Sequence, residues 1–166
     1  KAVQVPVTVK CRIGIDHNDS FEFFLNFIKT VHEAGCNTFI IHARKAWLKG
    51  LSPKENRDIP PLNYERVLEL KKLMPNLNIS INGGIKTLEH AKELLTQLDG
   101  VMIGRAAYEN PWMLKEADSL IYNTQDPIWK NRKELLTAYL PYVEQELSQG
   151  CPLTIITRHL SSLFNG

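Results

Sequence analysis

The sequence has little that would suit an extracellular, membrane-bound or metal-binding protein. Its three cysteines are odd in number, and none stands in a CxxC or cysteine/histidine spacing. This argues against a disulfide framework and a zinc site and predicts reduced thiols. No apolar run approaches the roughly 20 residues that cross a bilayer, and residues 1–7 lack the apolar stretch of a secretory signal. We therefore expect a cytoplasmic protein with no membrane segment and no metal.

A large net charge of either sign is also lacking. The formal net charge of +2 does not by itself imply a nucleic-acid partner, so that argument depends on where the charges lie. The 166 residues are 43% hydrophobic and 23% charged, which predicts a globular protein with one core. Because the chain begins without methionine in a strand-like run and closes in a helical pattern, we expect it to be part of something longer.

Strand and helix patterns alternate along the first hundred residues. The strands are predicted at residues 5–10, 38–42, 77–81 and 101–103. Helices follow, with Asp19 and Glu22 as a capping box, Gly35 as a terminator, and Asn63 and Thr87 as later caps. This alternation predicts an α/β fold with a parallel sheet, and four such units fit the second half of a TIM (β/α)₈ barrel.

A different pattern begins near residue 126, where apolar residues recur at helical spacing up to a break at residues 148–152. We interpret residues 1–123 as the carboxyl-terminal half of a barrel and residues 124–166 as the start of an all-helical domain. A half-barrel leaves strand edges unpaired, so we expect aggregation or pairing unless the missing half-barrel closes the fold.

Polar or glycine residues stand at the predicted carboxyl end of each strand, where barrels collect their functional groups. They are Lys10, His42, the run Asn82-Gly83-Gly84, and Gly104 with Arg105. Taken singly, each is usually structural, but together they share one rim. Two glycine turns at helix starts, with an arginine beside them, predict a phosphate-binding cup.

The connection after His42 is long for a strand-to-helix loop, where two to six residues are usual. It carries five basic residues around Trp47, namely Arg44, Lys45, Lys49, Lys54 and Arg57, against Glu55 and Asp58. One interpretation is an ordinary solvated loop. The other is a surface for a phosphate backbone with a base that can stack.

Five blocks of sequence resemble the tRNA-dihydrouridine synthases, specifically the DusA type that acts at positions 20/20a of the tRNA D-loop. The blocks are residues 7–14 (VTVKCRIG), 39–46 (FIIHARKA), 50–57 (GLSPKENR), 80–85 (SINGGI) and 100–105 (GVMIGR). Each motif alone is common, but their order through essentially the whole chain is specific.

The resemblance implies an FMN-binding barrel followed by a helical tRNA-binding domain, which reduces a uridine C5–C6 bond with NADPH as the electron source. By matching motif, Lys10 and His42 contact the flavin. Asn82, Gly83, Gly84, Gly104 and Arg105 hold its ribityl phosphate. Lys54 and Arg57 meet tRNA.

The resemblance also implies a catalytic cysteine in a Gly-Cys-Pro motif upstream of everything in this chain. The occurrence at Gly150-Cys151-Pro152 lies in the helical tail rather than after a strand. Cys11 is adjacent to Lys10, so strand alternation turns it to the opposite face, and Cys36 is expected to pack between a helix and a strand. We assign no catalytic residue and expect these residues alone to be inactive.

Two other functions remain open. One is a different FMN-dependent TIM-barrel oxidoreductase that uses the same cup on a small substrate, and salt-dependent tRNA binding separates it from the first reading. The other is a non-catalytic RNA-binding remnant that has lost its cofactor, which a flavin absorbance band in the complete protein would exclude.

Overall fold

The computed structural model describes residues 3–164. Its strands are β1 (Val9–Arg12), β2 (Thr38–His42), β3 (Asn78–Asn82) and β4 (Gly100–Met102). Its α-helices are α1 (Phe21–Glu33), α2 (Tyr64–Leu73), α3 (Leu88–Leu94), α4 (Arg105–Glu109), α5 (Ala117–Tyr122), α6 (Arg132–Ser148) and α7 (Leu153–Thr157). Short 3₁₀ helices cover Glu55–Arg57, Pro111–Glu116 and Ser161–Phe164. No helix in the described part of the chain is long and apolar enough to cross a membrane.

The four strands form one parallel sheet in the order β1-β2-β3-β4, which is the order of the chain. Helices connect β1 to β2, β2 to β3 and β3 to β4, as parallel pairing requires. This confirms the predicted α/β fold class, a parallel sheet followed by helices, as expected for half of a (β/α)₈ barrel. Within residues 3–164, β1 and β4 each pair on one side only.

The chain divides into two compact units. The first runs to Ile85 and includes His90–Ile103, so it contains the whole sheet. The second comprises Lys86–Glu89 and the chain from Gly104 onward. The predicted boundary between residues 123 and 124 remains a prediction.

The two faces of the sheet differ sharply in polarity. One face carries Phe39, Ile41, Ile79 and Ile81, all fully buried beside helix residues such as Phe24. Fully burying one such side chain is worth roughly 1.5–3 kcal/mol, so this face supplies most of the core energy of the first unit. The register places a second set of residues together on the opposite face, in two rows. These rows are Lys10, Ile40, Ser80 and Gly100, then Arg12, His42, Asn82 and Met102.

The first strand was predicted too early in the chain. It covers Val9–Arg12 rather than residues 5–10, and Val5 and Val7 are exposed. The reason is pairing: the first partner on β2 opposite β1 is Phe39, which pairs with Val9, and Pro6 has no backbone N–H to donate. The remaining strands lie within one residue of their predicted positions, and β2 matches in full.

The helix boundaries follow local capping chemistry. The N-cap of α1 is Ser20, whose hydroxyl accepts a hydrogen bond from the Phe23 N–H. The predicted Asp19 cap is therefore wrong, because the Asp19 carboxylate instead pairs with Lys45. Asn63 caps α2 as predicted, and Gly35, with φ of +100°, stands just past the end of α1.

The described residues of the second unit after Gly104 form helices and no strand, with an irregular segment at residues 123–131. Asn131 caps α6 through the Glu134 N–H, and the helix continues through Pro141 to Ser148. The 3₁₀ helix at Ser161–Phe164 packs against α4. The helical tail predicted from residue 126 is confirmed as helical, with its break at Gly150, where φ is +86°.

Candidate functional site

Polar side chains meet at the carboxyl edge of the first three strands. Arg12, His42 and Asn82 end β1, β2 and β3, and the register places them side by side. Lys10 was predicted at the end of its strand, but it is the second of four residues in β1 and pairs with Ile40. Its position is therefore corrected by two residues, because β1 begins later and extends further than predicted.

Lys10 still reaches this edge through its long side chain. Its Nζ donates to Asn82 Oδ1 at 3.3 Å, and Asn82 Nδ2 donates to the Met102 carbonyl at 2.7 Å. These two bonds fix the Asn82 amide, with its oxygen toward the lysine and its nitrogen toward β4. The Lys10 ammonium is exposed and has donors left for a ligand.

The turn after β3 is shaped by two glycines in left-handed backbone conformations. Gly83 has φ of +114° and Gly84 has φ of +71°. A Cβ atom on Gly83 would lie 2.5 Å from Cδ2 and 2.8 Å from Nε2 of the His42 ring. One edge of the imidazole therefore occupies the space that a side chain at residue 83 would need, and any such side chain would displace it.

Tyr64, at the start of α2, holds this turn from the other side. Its hydroxyl donates to the Gly83 carbonyl at 2.5 Å, and its ring lies 5.6 Å from that of His90. Burial raises the pKa of the Tyr64 hydroxyl, which Arg44 opposes more weakly, so the group remains a donor at neutral pH. The sequence analysis did not single out Tyr64 as a site residue.

Gly104 and Arg105 belong to the second unit. Gly104 is the N-cap residue of α4, and nothing lies within 4 Å of the position that a Cβ would occupy there. The space over Gly104 is thus open, as a backbone that admits a ligand requires. Arg105 is the first residue of α4 and is exposed.

The long loop after β2 is ordered by polar contacts rather than by an apolar core. Arg12 Nη1 donates to the carbonyls of Lys45 and Asn56, at 2.9 and 2.8 Å. The buried Asn56 side chain bonds both the N–H and the carbonyl of Trp47, each at 2.7 Å. Lys54 and Arg57 flank Glu55 and Asn56 and are exposed.

This loop is also joined to the loop after β1. Asp16, with φ of +49°, accepts from the Leu48 N–H at 2.8 Å, and its own N–H donates to the Ala46 carbonyl at 2.7 Å. Lys45 forms an ion pair with Asp19 at 2.8 Å and lies 4.3 Å from the centre of the Trp47 ring. Specific contacts therefore hold Lys45, Trp47 and Asn56, while the basic residues Lys49, Lys54 and Arg57 are exposed. Binding of RNA by this loop stays a prediction.

Comparison with known proteins then decides the family. The family model described as dihydrouridine synthase (Dus) matches residues 1–166. The chain belongs to the dihydrouridine synthase family. A tRNA-dihydrouridine(20/20a) synthase of Yersinia pestis is 57% identical over 166 residues, covering 99% of this chain and 48% of the relative.

Two further relatives of this dihydrouridine synthase chain carry the same name. The protein of Vibrio cholerae is 56% identical over 163 residues, covering 98% of this chain and 50% of the relative. That of Shewanella oneidensis is 55% identical over 166 residues, covering 100% and 49%. The chain thus spans about half the length of the curated relatives it matches.

The two cysteines of the first unit lie away from the Lys10 side chain. Cys11 alternates with Lys10 and points to the helix-covered face, where burial raises the pKa of its thiol to about 11, opposed by Lys10. The Cys36 thiol contacts the Thr38 carbonyl at 3.4 Å, beside the start of β2. Cys151 lies between α6 and α7 in the second unit. Among residues 3–164, no group of three or more histidine, cysteine or acidic side chains could hold a metal ion.

Proposed function

We propose that this protein reduces uridine to 5,6-dihydrouridine at positions 20/20a of the tRNA D-loop, with FMN as its flavin and NADPH as the reductant. The proposal gives the chain the activity in the names of its relatives. It makes the protein an oxidoreductase whose partner is tRNA.

One observation supports it most directly. An ammonium, an imidazole and a glycine turn meet at one strand edge, as the Lys10–Asn82 bond and the close approach of His42 to Gly83 require. This donor set suits a ligand with an anionic ring edge and a phosphate, because cations and bare backbone N–H groups both favour negative charge. The residues therefore fit FMN.

Each residue has a role in that fit. Lys10 offers a positive charge at the edge of the ring, and Asn82 fixes the lysine's position. The His42 ring lies against Gly83 and is buried. A planar ligand bound beside it would contact a rigid side chain that is shielded from water. FMN, when bound, would supply the hydride chemistry that no protein side chain provides.

The phosphate end of FMN is assigned to Asn82, Gly83, Gly84, Gly104 and Arg105. Gly83 and Gly84 let the backbone turn closely past the side chains of His42 and Leu62, and Gly104 has open space above it. Arg105 starts α4, and its guanidinium can donate two parallel hydrogen bonds to a phosphate.

Lys54 and Arg57 are assigned to tRNA. Both are exposed on the 3₁₀ turn that Asn56 anchors, and both carry charge suited to a phosphate backbone. Each phosphate contact should add about 0.7–0.9 to the slope of log affinity against log salt. A target base must leave its stack to react, so a grip on the folded tRNA offsets part of that cost.

These 166 residues on their own should not turn over substrate. Cys11 lies on the helix-covered face, where burial raises the pKa of its thiol to about 11, and Cys36 lies beside the start of β2, so neither is assigned a catalytic role. Closing the polar face of the sheet also requires further strands, which we propose another half-barrel supplies.

The test uses the complete gene product. It should purify with a flavin absorbance band and, with NADPH, should form dihydrouridine in an unmodified tRNA transcript. Lys10→Gln should lower flavin content, while Lys29→Gln, an exposed charge removed from α1, should not. A colourless complete protein, or binding of tRNA that ignores salt, would contradict the proposal.

A further inference from the structure

Arg12 connects the strand that carries Lys10 to the loop that carries Lys54 and Arg57. Its Nη1 donates to the Lys45 carbonyl at 2.9 Å and to the Asn56 carbonyl at 2.8 Å. The two carbonyls are 11 residues apart in the loop, so one guanidinium binds the loop both near its start and beyond its middle. Arg12 is half-buried and ends β1 beside His42.

The segment that Arg12 grips is a compact, self-bonded turn. Ser52 and Glu55 form a reciprocal cap, in which the Ser52 N–H donates to Glu55 Oε2 at 2.8 Å and the Glu55 N–H to Ser52 Oγ at 3.3 Å. Asn56 closes the turn against Trp47 through two bonds of 2.7 Å. Lys54 and Arg57 therefore move with Asn56 as one body.

The charges around Arg12 bear on the role of its contacts with the loop. Burial lowers the pKa of Arg12, and the nearby Arg44 and Arg57 lower it further. Arg44 and Arg57 are therefore close enough to Arg12 to repel its charge. An arginine whose role was only to stabilise the fold would be costly here, whereas a loop kept positive for an anionic partner explains the concentration of charge.

We propose that Arg12 is a positioning residue for tRNA recognition: its grip on the Lys45 and Asn56 carbonyls fixes the turn carrying Lys54 and Arg57 relative to the strand carrying Lys10. This inference rests on the proposed function. It assigns no contact between Arg12 and RNA. It states that this side chain holds the turn carrying Lys54 and Arg57 to the strand carrying Lys10, in addition to the contacts that the loop makes with Asp16 and Asp19.

The test is a double-mutant cycle in the complete gene product with an unmodified tRNA transcript. The variants are Arg12→Met, which removes both hydrogen bonds but keeps an apolar stem, Lys54→Ala, and the pair together. Lys54→Ala should weaken binding about threefold to tenfold, and Arg12→Met about tenfold. The double variant should bind about as weakly as Arg12→Met alone, because a released turn no longer presents Lys54.

Several controls separate positioning from general damage. Flavin content, and kcat at saturating tRNA, should stay at the level of the unmutated protein in Arg12→Met. Lys72→Ala, at the far end of α2, should leave tRNA binding unchanged although it removes the same charge. If Arg12→Met fails to fold, Asn56→Ala releases the same turn from its other side, and its effect should likewise not add to that of Lys54→Ala.

Effects of Arg12→Met and Lys54→Ala that multiply would overturn the proposal, since independent phosphate contacts behave in that way. A fall in flavin content or kcat parallel to the loss of tRNA affinity would also overturn it, in favour of a purely structural role. Failure of the proposed function has a different signature: the unmutated protein would neither bind tRNA nor form dihydrouridine.

Discussion

The turn after β3 and the loop after β2 keep their shapes in opposite ways. The turn, Asn82 to Ile85, keeps its shape because side chains are absent: His42 occupies the place of a Cβ on Gly83. The loop, residues 43–63, keeps its shape because side chains are present, with Arg12 and Asn56 bonding its backbone. Adding side-chain atoms should therefore disrupt the turn, whereas removing side-chain atoms should disrupt the loop.

This difference matches the ligands that we propose for the two regions. A small rigid cofactor needs backbone at close range, which glycine permits. A folded RNA needs charge at a set distance from that cofactor, which a braced loop of some 20 residues provides. Substitutions can sharpen or break this contrast.

The largest effect is expected for Gly83→Ala. Its methyl group would overlap the His42 ring at 2.5 Å, and its φ of +114° is strained for alanine. Overpacking and backbone strain together should cost about 2–5 kcal/mol and release flavin. Urea unfolding and the flavin absorbance band would measure both effects.

Gly35→Ala is the matched control for that change. Gly35 has a similar φ of +100°, but nothing lies within 4 Å of its Cβ position. It should lose only the strain, about 1–2 kcal/mol, and keep its flavin. Equal losses for the two variants would show that His42 does not pack on Gly83.

The next largest effect is expected for Asn56→Leu. The change leaves the Trp47 N–H and carbonyl without their partners, at a cost of about 1–3 kcal/mol. Affinity for tRNA should fall while flavin content stays constant, because the glycine turn is not touched. Asn26→Leu, on the exposed side of α1, is the control. Loss of flavin in Asn56→Leu would contradict the separation of the two regions.

A smaller effect is expected for Tyr64→Phe. It removes one hydrogen bond, from the Tyr64 hydroxyl to the Gly83 carbonyl, worth about 0.5–1.5 kcal/mol. The flavin dissociation constant should rise severalfold, with tRNA affinity for the flavin-loaded protein unchanged. Tyr122→Phe, whose ring is exposed in the second unit, should change neither quantity.

The smallest effect is expected when low pH weakens the Lys45–Asp19 ion pair. The hydrogen bond and charge of Lys45 lower the pKa of Asp19 in the folded protein. The folded pKa lies below the unfolded value, so this contribution is present above the unfolded pKa, near 4, and fades as pH falls through the folded one. Lys45 lies over Trp47, so tryptophan fluorescence between pH 5 and 2 should report the change. Asp19→Asn should flatten that profile, and a persistent transition in the variant would assign it elsewhere.

Much of the fold was predictable because its determinants are local. The β2 run and the Asn63 cap each contain their own signal, apolar on consecutive positions in one case and a side-chain acceptor in the other. The start of β1 was not predictable, since residues 5–7 look like a strand but have no partner there. Asp19 was misassigned because its distant partner, Lys45, is invisible in the local sequence.

The residues of the candidate site likewise include some that the sequence predicts and some that it does not. His42, Asn82 and the glycine pair could be found because strand ends and glycine turns are recognisable in one dimension. Arg12 could have been found by counting two residues on from Lys10, which places both on one face. Asn56 and Tyr64 gave no such signal, because their roles depend on which backbone atoms they meet after the chain has folded.

The row formed by Lys10, Ile40, Ser80 and Gly100 tapers in bulk from one edge strand to the other. Ser80 lies so close to Gly100 that a Cβ there would sit 2.3 Å from its hydroxyl oxygen. The Ser80 hydroxyl therefore takes the space that a side chain at residue 100 would need. A segment that packs on this face would meet the Lys10 side chain at one edge and only Ser80 and bare backbone at the other. A complementation screen with different segments packed on this face should thus select for side-chain size opposite Gly100 and for tolerance of a positive charge opposite Lys10.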